Sequence, residues 1–171
     1  MILGISLAAF TTLHVVISLV GIVTGIVVLF GMLNAKPFSG WTAVFLATTV
    51  LTSVTGFLFP ITGFTPALAV GIVSLILLAL ALFALYSQHL AGAWRWVYVV
   101  TALFALYLNC FVAVVQSFQK IAFLHALAPT QSEPPFQIAQ GILLLVFVCA
   151  GIGAVRKFHP DNANLAAEKM A

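Results

Sequence analysis

A chain of 171 residues that is 64% hydrophobic and 5% charged, with a mean hydropathy of +1.25, has too little charge to cover a surface in water. Soluble domains carry roughly a quarter charged residues, so that class is excluded and a polytopic membrane protein is indicated. The net charge of +3 comes with no basic cluster that could line a phosphate backbone, so it reads as an orientation signal rather than a nucleic-acid interface.

Five apolar segments follow in order, at about 8–33, 41–60, 66–87, 95–119 and 136–155. Each reaches the roughly 20 residues that a helix needs to cross a hydrocarbon core. The short alternating strands of a barrel are absent. The first segment lacks the basic n-region of a signal peptide and is read as a retained span. NAKPFSG, ITGFT and QHLAGAW punctuate the first four segments, and a longer loop at 120–135 precedes the fifth. That loop holds Pro129, Pro134 and Pro135, which stiffen it into a cap over one mouth of the bundle. The fold class is all-α: a five-span transmembrane helix bundle, one unit over 1–157 with a short polar tail at 158–171. Lys36, Arg95, Arg156, Lys157 and Lys169 fall on the side of the C-terminus, and Lys120 alone falls on the other. The positive-inside rule then puts the N-terminus outside and the C-terminus in the cytoplasm. Trp41, Trp94 and Trp96 sit at the cytoplasmic ends, as interface anchors do.

Helices in a bilayer meet through small and polar residues, so each span should face the bundle with such a seam. The seams read Thr11, His14, Ser18, Gly21, Gly25, Val28 in the first span and Thr42, Thr49, Thr52, Ser53, Gly56 in the second. They read Ala67, Gly71, Ser74, Leu78, Ala81 in the third, and Gln137, Gly141, Leu144, Val148, Gly151 in the fifth. The fourth is the most regular: Tyr98, Ala102, Ala105, Asn109, Val112, Gln116, Gln119. Its opposite face carries Val100, Phe104, Tyr107, Phe111 and Val114. Topology brings the polar members of these seams together in the outer half, above a drier cytoplasmic half. The candidate ligand-binding set is therefore His14, Ser18, Thr52, Asn109, Gln116, Gln119, Lys120, His125, Gln137 and Gln140. His14 is the one histidine well inside a span, where an ionisable group needs a protein or water partner. A neutral core histidine bonded to Thr or Gln is the plainer reading of it. Packing amides and snorkelling are the plainer readings of Gln116 and Lys120. Lys120 could also pair with Glu133. Cys110 and Cys149 lie in apolar segments with no ligand spacing and read as small core residues.

The stretches LHVVISLVGIVTGIVVLFGML, LTSVTGFLFP, HLAGAWRWVYVVTALFALYLN and LAPTQSEPPF together resemble a group of small bacterial multi-pass membrane proteins, over about residues 3–158. The resemblance implies the bacterial cytoplasmic (inner) membrane and carries over no catalytic residues.

The function classes left open are a non-enzymatic bundle that holds a small or lipid-like ligand or serves a larger membrane complex, an electron-transfer protein, and a small transporter. A b-type haem needs axial ligands from facing elements. His14 supplies one, and His125 could supply a second only if its loop folded inward. A quinone would be expected near His14, Gln116 and Gln140. Neither cofactor is predicted. Transport usually shows an intramembrane acid, a repeat or broken helices, and none is visible. No HExxH, paired carboxylates, nucleophile elbow or P-loop points to an enzyme. The Phe-rich faces and the Gly21–Gly25 pair would suit a homo-oligomer or a larger membrane partner as well as a lone bundle.

Overall fold

A computed structural model describes residues 4–60, 63 and 65–159. Ile61, Thr62 and Phe64 of the expected second turn, and the tail from Pro160 with Asp161, Glu168 and Lys169, lie outside the described residues. Those described are helical, in the order α1 (Leu7–Leu33), α2 (Ser39–Gly56), α3 (Pro66–Leu82), α4 (Trp94–Lys120), α5 (Ala122–Leu127) and α6 (Pro134–Lys157). A π-helical turn, Phe83–Ser87, continues α3. The helices α1, α3 with its π turn, α4 and α6 are each long and apolar enough to cross a membrane. The remaining long helix, α2, is shorter and richer in threonine, with 18 residues.

Local chemistry sets the helix ends. Ser6 caps α1 by accepting from the Ala9 N–H at 3.2 Å, and Thr65 does the same for α3 with Leu68 at 3.2 Å. Pro66 and Pro134 open their helices, where a missing N–H costs nothing. The helix α2 stops at Gly56, before the expected Pro60, because the Phe57 N–H turns back onto the Val54 carbonyl at 3.1 Å.

Successive long helices run antiparallel, and all of them share two faces. One face holds Lys120 and Glu133, and the other holds Lys36, Arg95, Arg156 and Lys157; they are called here the Glu133 face and the basic face. The helix α4 is the centre of the bundle. On its first four turns Tyr98, Val99, Thr101, Ala102, Leu103, Ala105 and Leu106 are all buried, so neighbours surround it there. Around them pack Val28 and Met32 of α1, Phe45 and Leu46 of α2, Leu78 and Ala81 of α3, and Ala154 and Phe158 at the end of α6. The core therefore sits toward the basic face. Gly25 lets α1 reach it: a Cβ there would lie 2.5 Å from Leu106 Cδ1 and 2.8 Å from the Phe45 ring.

Two seams differ from expectation. On α4, Tyr98, Ala102 and Ala105 are buried as expected, but Gln116 and Gln119 are exposed and Phe118 turns inward against Phe136 at 5.4 Å. On α6, Gln137, Gly141, Leu144 and Val148 are exposed, and the half-buried face is Phe136, Gln140, Leu143, Phe147 and Ala150. That face is rotated by about one residue, roughly 100°. Aromatic contact overrides the small-residue rule here: Phe136 meets Phe118, and Phe147 meets Tyr107 edge-on at 5.7 Å. On the opposite face of α4, Val100 and Phe104 are exposed, while Tyr107 and Phe111 are half-buried against α6.

Candidate functional site

Threonine and serine in a helix can bond the carbonyl one turn back, and this chain uses that option repeatedly. Ser18 donates to the His14 carbonyl at 2.9 Å and Thr52 to the Thr48 carbonyl at 2.9 Å. Both therefore satisfy their protons within their own helices.

The remaining predicted residues fall into separate contacts. His14 Nδ1 lies 2.8 Å from Thr55 Oγ1, which itself donates to the Leu51 carbonyl at 2.7 Å. With the Thr55 proton on the Leu51 carbonyl the His14 ring N–H is the donor; in the other tautomer the Thr55 hydroxyl donates to the ring nitrogen. Phe59 stands edge-on to that ring at 5.2 Å. Asn109 lies one layer deeper, between α1, α2 and α4. Its Nδ2 is buried without a hydrogen-bond partner, and a Cβ at Gly21 would lie 3.2 Å from it, 3.2 Å from Thr49 Oγ1 and 3.3 Å from Thr48 Oγ1. Gln140 ties α6 to α4 through the Phe111 carbonyl at 3.3 Å, and its Oε1 is also buried without a partner. No hydrogen bond joins His14, Asn109 and Gln140 to one another.

The Glu133 face carries the rest. Gln119 reaches Gln131 Oε1 at 3.4 Å, and Gln131 Nε2 donates to the Val115 carbonyl at 3.1 Å, latching the loop onto α4. Gln137 donates to the Ser132 carbonyl at 2.7 Å. Glu133 accepts from the Thr130 N–H, the Thr130 hydroxyl and the Ser132 N–H at 2.9–3.1 Å. Partial desolvation pushes its carboxyl up, but these hydrogen bonds outweigh it and hold Glu133 below the usual carboxylate range. The stiff cap is thus built from Glu133 as much as from the prolines. Gln116, Lys120 and His125 are exposed, and Lys120 makes no ion pair among the described residues.

A hollow of about 230 Å³ lies at the basic face, in the half read as dry. Lys36, Ser39, Thr42, Tyr86 and Tyr98 bring polar groups to it, among apolar walls that include Met32, Leu90 and Phe158. Two strained loops and a widened helix shape it. Ala35 at φ 54° turns the chain from α1 into α2, and the Lys36 N–H returns to the Gly31 carbonyl at 2.9 Å. After the π turn, His89 at φ 47° and Leu90 at φ 60° reverse the chain, with the Leu90 N–H on the Ala84 carbonyl at 3.0 Å. Non-glycine residues in this region cost energy, and such strain gathers at functional sites, as do π turns. The sequence does not mark this hollow, because FALYS carries no signal for a π turn. Tyr98 and Thr42 were visible as polar residues near that face, without the neighbours that make them a set.

No group of three or more His, Cys, Asp or Glu is placed to hold a metal ion among the described residues. No family model, curated protein or solved structure matches the chain.

Proposed function

We propose that this chain is a non-enzymatic, five-span protein of the bacterial cytoplasmic membrane that holds a small amphipathic ligand at its basic face. The observation that carries the reading is the hollow at Tyr98. It combines an apolar wall with a few convergent polar groups, the usual make-up of a ligand site. Its volume of about 230 Å³ lies below the roughly 300–1,000 Å³ of sites that engulf a whole drug-sized molecule. A headgroup or a single ring fits, with the remainder of the ligand in the bilayer. Lys36 offers a cation to an anionic head, and Ser39, Thr42 and Tyr98 offer hydroxyls.

The fifth crossing is α2. Its antiparallel place beside α1 supports this, as does the return of its hydroxyls to its own carbonyls, which removes most of the cost of burying threonine in lipid. The basic face as the cytoplasmic side, with the N-terminus outside, is supported by its arginines and lysines. Trp41 and Trp96 also lie half-exposed at that level. Labelling of a cysteine at Gln131, in a background lacking Cys110 and Cys149, tests the orientation: reagent confined to the outside should reach it.

The ligand reading is tested by mass spectrometry of small molecules that co-purify with the intact protein. The wild type should carry one amphiphile that Lys36→Gln and Tyr98→Phe lose. Identical profiles in all three, with unchanged elution on size exclusion, would sink the idea. A Soret band in iron-supplied protein would move the chain to the electron-transfer class instead.

A further inference from the structure

A second feature lies on the other side of α4 and has no part in the Tyr98 hollow. Between α4 and α6 runs a groove of about 480 Å³, walled by Val100, Phe104, Leu144, Val148 and Ile152, with Gly151 opening its middle. Its lining is apolar except at one end, where Arg156 stands. Along α6 it extends from Leu144 to Val155, about 17 Å at the helical rise. One leaflet of a hydrocarbon core is about 15 Å deep. At mid-membrane the groove ends in an aromatic cluster: Tyr107 stacks on Phe104 at 5.9 Å, tilts against Phe111 at 6.1 Å and meets Phe147 edge-on at 5.7 Å.

The two arginines at this end do different work. Arg95 Nη1 donates to the Val155 carbonyl at 2.9 Å and the Phe158 carbonyl at 2.6 Å, which caps the end of α6 and commits that nitrogen to the protein. Arg156 is exposed at the groove mouth. A guanidinium binds phosphate through paired N–H donors, and anionic lipids are attracted to basic residues at the membrane surface. A single-leaflet apolar slot ending on an open guanidinium matches one kind of occupant in length and in charge.

We propose that this groove holds one acyl chain of an anionic phospholipid, with the lipid phosphate on Arg156. The slot takes the chain from the basic-face leaflet, and the aromatic group around Tyr107 stops it at the midplane. Arg95 holds the end of α6 in place, so Arg156 meets the headgroup at a fixed height.

The test uses the full chain in neutral detergent, titrated with phosphatidylglycerol or phosphatidylcholine and read by native mass spectrometry. The wild type should prefer phosphatidylglycerol by about fivefold, the effect of one basic residue near the surface. Arg156→Gln should bring the two lipids level, and Lys120→Gln, at the opposite face, should leave the preference intact. Gly151→Leu should weaken both lipids by filling the slot; a Cβ at Gly151 meets nothing within 4 Å, and unchanged elution on size exclusion checks that the fold accepts the larger side chain. Free glycerol phosphate should not compete. A preference that survives Arg156→Gln, full retention in Gly151→Leu, or competition by glycerol phosphate would each overturn the proposal. None of these variants touches Lys36 or Tyr98, so the two sites fail or stand separately.

Discussion

The halves of the bundle toward the basic face and toward the Glu133 face are built on different terms. Toward the basic face, large side chains are fully buried: Tyr98, Phe45, Met32, Leu46, Leu78, Leu106 and Val99 each keep 2% exposure or less. Arg95 locks α6 to this half by its carbonyls. Toward the Glu133 face Phe10, against Phe59, is the one large side chain buried as deeply among the described residues, and the other contacts are mostly single hydrogen bonds and edge-on rings, such as His14 with Thr55 and Phe118 with Phe136. The half read from sequence as the polar mouth is thus the more loosely joined one, and the close-packed half contains the better-formed hollow. Most of the buried large side chains gather at one end of this bundle, and more of its polar groups satisfy themselves at the other. Local opening should begin at the Glu133 face, where the free energy at stake is small.

The two halves differ most in what a glycine there can tolerate. Gly25→Val forces a side chain into Leu106 and Phe45 and should destabilise by about 3 kcal/mol in a detergent denaturation series. Gly141→Ala, which meets open space, should change nothing measurable there or stabilise slightly. Next comes Arg95→Met, which removes two charge-assisted bonds to α6 and should cost about 2 kcal/mol. Lys120→Met, exposed at the far end of the same helix, should fall within about 0.5 kcal/mol of wild type. His14→Ala should cost about 1 kcal/mol, the scale of an interhelical hydrogen bond in a bilayer. If it costs as much as Gly25→Val, the two halves are equally coupled and the distinction is wrong.

Asn109 sharpens the boundary between the halves. Its Nδ2 is buried without a partner, so Asn109→Leu should be neutral or slightly stabilising, since a desolvated donor disappears. A clear loss would reveal a bound water between Gly21, Thr48 and Thr49. The smallest effect is expected at Glu133. Its folded pKa is depressed, so its contribution is present above the unfolded carboxylate pKa and lost as pH falls through the lower folded value. The protection of the Thr130 and Ser132 amides, with the intrinsic pH dependence of exchange divided out, should therefore fall as pH drops through that value, and Glu133→Gln should abolish the change.

Several helix boundaries were legible because prolines and turns are local chemistry: Pro66 and the turn after Leu33 can be read within a few residues, and the last helix opens at Pro134, one residue before the expected Pro135. The inner seam of α4 was legible too, since Ala102 and Ala105 are small and the bundle closes on them. Gln116 and Gln119 were not, because an amide near the end of a span can find water or headgroup partners instead of another helix. The seam on α6 misled for a related reason. Glycine and glutamine mark where helices can approach, whereas Phe136 and Phe147 show where they did. Arg95 and Arg156 look alike in sequence, and only the path of the chain at Val155–Phe158 separates a cap from an open cation.

Gly25 also bears on the order in which the protein can be made. Leu106 and Phe45 close on the same notch in α1. Synthesis delivers α1 first, and α2 can join it as a hairpin, which supplies Phe45 but only one wall. The second wall is some eighty residues away in the chain. Final seating of the first helix therefore waits for the fourth to enter the bilayer, with α3 already lodged beside α2. A nascent chain halted at Ser87 would present the apolar rim of that notch to whatever insertion machinery or lipid was next to it.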